Sequence, residues 1–596
     1  MDNSLRRLIG AGLVALLMAG CAGQQGMVET LRGGAEPAEL LAQAQNQSGP
    51  EAARTRLQAA DILARRGDYS QALRVASGID ASLLDVDERV QWALLLSQVG
   101  LEQEDGWSVI QATALLEDGL PMSRDDAMTL RYRRGLALGL VGEAQASVRT
   151  LIDLQRDDAP FDLNDAIWRQ LSRLRGQVLD QLASQGDPLA TGWVELIRLQ
   201  RRNGGDIAGL FARIDEWRSR YPNHPATRRL PSNLQALSEL RGQDVRHIAV
   251  FLPESGALAG VAQAIREGMQ TRHMNALDQG EQTPQLSFYD ASRGNLDTLY
   301  ARATMNGAQV VIGPLDKDKV SRLEQRASVP LPTLALNYGT APSNNADNLF
   351  QYGLSAEDEA RQVAKRAWLD GHRRAGMLVP DNAWGDRVAD AFREAWMQQG
   401  GSLAALTSYD PEASVSSAVQ QLLNVTNERA QRDMDMLFLL ALPSYARQVP
   451  PTLAYYYADE LPIYATSHLY EGRPQPRVDH DLNGVQFIEI PWIIPEAAVG
   501  GENALPFVES YYALRSDDEP ALFKLKAMGV DAYELARRLP LLEAAPNTEF
   551  YGATGALSAA PDGRIHRDLP WAEFTNGVPQ PPLRNSQKAM FGNGPL

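Results

Sequence analysis

The stretch Ile248-Ala-Val-Phe-Leu-Pro-Glu-Ser-Gly256 decides the fold of the second half of this chain. A row of apolar residues, stopped by a proline and followed by Ser255 and Gly256, reads as a strand buried on both faces that runs into a tight loop. Leu258, Val261, Ala262, Ile265 and Met269 then recur at three and four, the spacing of one helical face. Similar apolar runs follow at Gln309-Val-Val-Ile-Gly313, Leu331-Pro-Thr-Leu-Ala-Leu336, Ala375-Gly-Met-Leu-Val379, Asp435-Met-Leu-Phe-Leu-Leu-Ala441 and Ile463-Tyr-Ala-Thr466, most with a helical stretch behind them. Buried runs alternating with helices predict a parallel sheet covered on both faces. Residues 246–577 are long enough for two α/β lobes, which we place at 246–355 with 500–548 and at 356–499 with 549–577. A Pro-, Asn- and Gly-rich tail, 578–596, is expected to be mobile.

Upstream of this point the strand signal vanishes. Residues 51–242 are dominated by Leu, Ala, Arg and Gln, with apolar stripes such as Ala60, Leu63 and Ala64. Gly67-Asp68-Tyr69-x-x-Ala72-Leu73 has the form of the mid-repeat turn of a tetratricopeptide unit. There a glycine permits the tight turn between helices, and a small alanine lets them pack closely. Gly142, with Ser147 five residues on, is a weaker echo. Two readings stand: a tetratricopeptide-like solenoid, or an α-bundle without a repeat. Trp217, Tyr221-Pro222 and Pro225 close the segment.

The first residues read as an export signal. Arg6 and Arg7 precede the uncharged apolar run from Leu8 to Ala19, and Ala19-Gly20 stand before Cys21, the one cysteine of the 596 residues. The run is too short to cross a bilayer core, which needs about 20 residues, and fits a signal-peptide core instead. Residues 1–20 are therefore expected to be a signal peptide and 21–50 a tether rich in Gly, Gln and Ala, with one short helical stretch from Pro37 to Gln45. Met18-Ala19-Gly20-Cys21 resembles the bacterial lipobox, which implies acylation of the Cys21 thiol; by the same resemblance Ala22, in place of aspartate, implies the outer membrane, facing the periplasm.

Composition narrows the chemistry. A net charge of −17 disfavours binding to a phosphate backbone, so no nucleic-acid partner is expected. One cysteine excludes internal disulfides and cysteine-held clusters. The sequence has no Ser-x-x-Lys, no Gly-x-Ser-x-Gly, no His-Glu-x-x-His and no P-loop, so neither a catalytic residue, a metal nor a cofactor is assigned. His480-Asp481 is the nearest approach to a metal pair, in a loop rich in Pro and Gly.

The second half resembles the type I periplasmic binding proteins. The resemblance rests on the opening strand and loop at 248–256, on Val311-Ile-Gly-Pro-Leu315, on Val379-Pro-Asp-Asn-Ala-Trp-Gly385, and on Gly552-Ala-Thr-Gly-Ala-Leu557 with Asp562-Gly563. With the lipobox and the helical half added, the whole mature chain resembles the outer-membrane penicillin-binding protein activators of the Lpo type. The fold expected is thus multidomain: an all-α tetratricopeptide-like solenoid, then a two-lobed α/β type I binding-protein fold. The resemblance implies a protein that regulates peptidoglycan synthesis, with a class A penicillin-binding protein of the 1A type as partner and stimulated cross-linking as the effect. A solute-binding lipoprotein serving a transporter or sensor is the other reading. The long helical half favours the regulator, because repeated helices offer an extended partner surface. For a small-molecule ligand in the interlobe cleft, the resemblance points to Ser255, Gly256, Asn337, Tyr338, Asn382 and Trp384. Ser255 also reads as a plain helix cap.

Overall fold

The computed structural model describes residues 36–582, apart from 118, 175, 185, 204–206, 240–244, 411–412, 427–428, 432, 516–519 and 545–548. The expected signal peptide, Cys21, the tether up to residue 35 and the tail from 583 lie outside the described residues. The chain divides into two compact units, Met1–Gly142 and Glu143–Leu596. The division therefore falls inside the helical half, not at its end.

In the first unit, helices cover Pro37–Gln45, Gly49–Arg65, Tyr69–Ser77, Val86–Glu102, Gly106–Thr113 and Arg124–Leu140. The short helical stretch expected within the tether is the helix Pro37–Gln45, and it is packed. Pro37–Gln45 buries Pro37 and Ala44, and Glu36 accepts both guanidinium ends of Arg66, at 2.7 and 3.2 Å. The long helices start at regular intervals, and each is followed by a residue in left-handed conformation: Gly67 (φ 83), Glu104 (φ 53) and Gly142 (φ 83). Asp68 and Asp105 then cap the next helix, accepting from the backbone N–H of Gln71 and Ser108 at 3.1 Å each. Five residues past each left-handed turn stands a fully buried side chain, Ala72, Val109 or Ser147. A third residue count of the same kind is thus present, with Glu104 in the place that glycine holds elsewhere. The interval of 37 to 38 residues exceeds the 34 of a tetratricopeptide unit.

The second unit opens with further helices, among them Ala144–Arg156, Asn164–Ser172, Pro188–Asn203, Ile207–Arg220 and Ser232–Glu239. Trp193 and Trp217 are fully buried, and the His224 ring lies edge-on between them with centroids 4.9 and 5.0 Å away. Burial pulls the His224 imidazole down to about 4. Of the closing residues singled out in the sequence, Trp217 thus belongs to a buried aromatic cluster, with the part-buried Tyr221 ring 5.6 Å from it.

The strands are β1 (His247–Leu252), β2 (Gln285–Asp290), β3 (Val310–Ile312), β4 (Ser328–Ala335), β5 (Asp347–Gln351), β6 (Arg374–Pro380), β7 (Ser402–Tyr409), β8 (Met436–Leu439), β9 (Ile463–Ala465), β10 (Gln486–Ile488), β11 (Phe550–Gly552), β12 (Gly555–Ala559), β13 (Ile565–Asp568), β14 (Trp571–Thr575) and β15 (Val578–Gln580). The first lobe holds a five-stranded parallel sheet in the order β2-β1-β3-β4-β5. The second holds seven strands in the order β15-β14-β10-β9-β8-β6-β7. Here β7, β6, β8, β9 and β10 run parallel, while β14 and β15 close one edge antiparallel.

Two of the expected boundaries shift. Strands β11–β13 form a small antiparallel sheet of their own, and Phe550, Leu557, Ala559 and Ile565 pack in one core with Ile248 and Val250 of β1. Residues 549–568 thus belong with the first lobe, and only β14 and β15 return to the second. The segment from 578 opens as a strand: β14 and β15 are joined by Asn576 and Gly577, both at positive φ (53 and 70), with Thr575 opposite Val578. An Asn-Gly pair is the two-residue turn whose twist matches a hairpin, and it fixes β15 where a mobile tail was expected.

The helix Pro520–Arg537 serves both lobes. Met528, Ala532 and Tyr533 pack in the first lobe's core, while Phe523, Ala527 and Val530 pack in the second's.

Candidate functional site

A cavity of about 570 Å³ opens where the C-terminal ends of β8, β9 and β10 meet the helix Pro520–Arg537 and β13. This is the end of a parallel sheet at which α/β folds bind ligands, and the volume is that of a small-molecule site. The loop after β9 supplies Ser467, His468, Tyr470 and Glu471; the end of β10 supplies Glu489 and Ile490. Opposite them stand Glu359 from the helix Ala356–Leu369, Lys524 and Leu525 from the shared helix, and Arg567 from β13. Leu354, on the crossing from β5 into the second lobe, and Pro443 complete the apolar wall.

The carboxylates here are all engaged. Glu359, buried, accepts from the backbone N–H of Ser467 at 3.0 Å and from its hydroxyl at 3.2 Å. Glu489, wholly inaccessible, accepts from Lys524 Nζ at 2.5 Å and from the Ile490 N–H at 2.7 Å. Burial pushes its carboxyl up, and Lys524 opposes the push. Glu471 accepts from Arg447 at 3.0 Å and from Gln475 at 2.5 Å. Burial holds His468 below its usual range, against the pull of Glu359.

Arg567 differs. Its side chain is 2 % exposed, yet neither Nη1 nor Nη2 makes a hydrogen bond to the protein. Glu359 Oε1 lies 3.6 Å from Nη2, an ion pair without a hydrogen bond, because the Glu359 oxygens are taken up by Ser467.

None of the six residues singled out in the sequence lines this cavity. Ser255 does not cap the helix after it: Ala259–Asp278 starts past Leu258, and the Ser255 N–H donates to Ser292 Oγ at 2.8 Å. Gly256, at φ 86, turns the same loop with open space where a Cβ would stand. Asn337 donates to the Leu315 carbonyl at 3.1 Å and accepts from the Tyr338 N–H at 2.9 Å. The Tyr338 hydroxyl donates to the Ile565 carbonyl at 2.7 Å, which ties β13 to the first lobe. Asn382 caps the helix Ala383–Gln398, accepting from the N–H groups of Trp384 and Gly385 at 3.0 and 2.9 Å. Trp384 packs its ring 5.0 Å from that of His468, one layer behind the cavity wall. Tyr338 and Trp384 therefore brace residues next to the site. Arg567 stands four residues past Gly563, in the segment whose Asp562-Gly563 pair carries the resemblance to a binding-protein hairpin, and no motif singles it out. Among the described residues no cluster of His, Cys, Asp or Glu has the form of a metal site, and no helix is long and apolar enough to cross a membrane.

Residues 34–577 match the family model described as "LppC putative lipoprotein". A Photobacterium profundum protein named penicillin-binding protein activator LpoA is 25% identical over 607 residues, covering 96% of this chain and 97% of its own. A Yersinia pseudotuberculosis protein of the same name is 28% identical over 502 residues, covering 72% and 75%. The crystal structure of full-length LpoA from Haemophilus influenzae has the same fold, with a TM-score of 0.50 and 23% identity over 92% of this chain and 98% of that one.

Proposed function

The chain belongs to the LppC lipoprotein family, and from that membership we propose that it activates a penicillin-binding protein. The extent of the family match carries this reading, since it takes in the helical half as well as both lobes. A solute-binding lipoprotein, the second reading of the sequence, needs only the lobes.

In finer terms, the partner is a class A penicillin-binding protein of the 1A type, and the effect is stimulated peptide cross-linking. The chain itself is not an enzyme. The lipobox-like stretch ending at Cys21 supports a lipid anchor, and Ala22 supports the outer membrane. Activation requires only that the chain bind the cross-linking-competent state of the synthase better than the other state. A tenfold preference corresponds to about 1.4 kcal/mol. The α/β half docks on the synthase in this scheme, and the helices act as spacer or second contact.

The test is capture from envelope extract with the purified mature chain as bait. A class A synthase is the expected partner. Capture of a transporter or a sensor kinase in its place would transfer the protein to the solute-binding reading.

A further inference from the structure

We propose that the cavity at the ends of β8, β9 and β10 binds a small organic monocarboxylate, anchored by Arg567. The proposal goes beyond the activator reading and stands or falls independently of it.

The charges around Arg567 are already satisfied. Lys524 is spent on Glu489, and Arg447 on Glu471 and Asp479. Glu359 accepts from Ser467 twice. Arg567 alone among the cavity's buried charges keeps both terminal nitrogens without a hydrogen bond, at 2 % side-chain exposure. A buried guanidinium with unmet donors is costly. Its planar fork matches the two oxygens of a carboxylate, which accept in parallel.

The charge of the ligand follows from the neighbours. Glu359 Oε1 stands 3.6 Å from the guanidinium and offsets its charge without using its hydrogen bonds. The other lining cations, Lys524 and Arg473, face Glu489 at 2.5 Å and Glu471 at 3.8 Å. Arg473, Lys524 and Arg567 are thus balanced by Glu471, Glu489 and Glu359, so a dianion such as sulfate or phosphate would bring two added charges, and a carboxylate one, offset by the unmet guanidinium donors. The rest of the ligand meets Leu354, Tyr470, Ile490 and Leu525, an apolar wall that suits a hydrocarbon or aromatic substituent. The cavity's volume of about 570 Å³ accommodates an acylated amino acid.

The experiment is saturation-transfer NMR on the purified mature chain. The probes are N-acetyl-alanine, N-acetyl-leucine and N-acetyl-phenylalanine, each as the free acid and as the neutral amide. At least one free acid is expected to bind saturably, and its amide at least tenfold more weakly. Arg567→Gln with an unchanged far-ultraviolet dichroism spectrum is expected to lose the binding at least tenfold. Because the acid–amide comparison uses the unaltered protein, it decides the matter even where Arg567→Gln does not fold. Failure of all three acids to bind, equal binding of acid and amide, or displacement of the acid by an equal concentration of sulfate would overturn the proposal.

Discussion

Lys524 Nζ lies 2.5 Å from Glu489 Oε2, and the pair ties the helix shared by both lobes to the end of β10. Glu489 is wholly inaccessible and Lys524 largely so. Removing the lysine would strand a buried carboxylate with only the Ile490 N–H for company. Lys524→Met is expected to destabilise the α/β half by about 3–5 kcal/mol. Lys524→Met combined with Glu489→Gln is expected to recover part of that loss. Urea denaturation of the four members of the cycle measures both; additive losses would show that the pair is not coupled.

Gly268 and Gly529 mark where the helices Ala259–Asp278 and Pro520–Arg537 touch backbone to backbone. A Cβ on Gly268 would run into the Lys526 carbonyl and come within 3.1 Å of the Gly529 Cα. Alanine normally favours a helix over glycine by about 1 kcal/mol, so the clash decides the sign. Each Gly→Ala change is expected to cost about 1–3 kcal/mol. Thermal unfolding is the readout, and a stabilised variant would refute the close approach.

Much of this architecture was legible in the sequence, and the omissions have a common cause. Strands β1, β3, β6, β8 and β9 lie inside sheets, are buried on both faces and read as unbroken apolar runs. Strands β2, β5 and β7 are edge strands with exposed positions, so Gln285–Asp290 and Ser402–Tyr409 carry no such run. In the helical half, Glu104 takes the left-handed position that glycine holds at 67 and 142, which hid the middle turn. The cavity was less legible still. Arg567, Glu359, Glu489 and Lys524 come from four separate stretches, and only the return of β13 to the first lobe brings the arginine to the site.

Asp531 provides a pH dependence. It is fully buried, accepting from the N–H groups of Ala553 and Thr554 at 2.7 Å each and from the Thr554 hydroxyl at 2.6 Å. Burial nevertheless pushes its carboxyl up to about 6, from 3.8. The folded state therefore holds this proton more tightly than the unfolded chain does. The resulting stabilisation is complete below the unfolded value and is lost as the pH rises through about 6. It amounts to about 3 kcal/mol at most. Denaturation midpoints between pH 4 and pH 7 are expected to fall more steeply in the unaltered protein than in Asp531→Asn. Parallel curves would contradict this assignment.

Cys21→Ser is expected to leave the precursor unacylated and to remove the protein from the outer-membrane fraction. Fractionation followed by immunodetection measures it. An unchanged distribution would exclude a lipid at this residue as the anchor.

The central claim is activation of a cross-linking synthase. Its most direct test is muropeptide analysis of the product made by a purified class A penicillin-binding protein of the 1A type, with and without the mature chain. The account predicts a higher cross-linked fraction with the whole chain, retained by residues 143–596, the compact unit that contains both lobes. Stimulation by residues 36–142 alone would contradict the docking of the α/β half, and no change with the whole chain would contradict the activator reading itself.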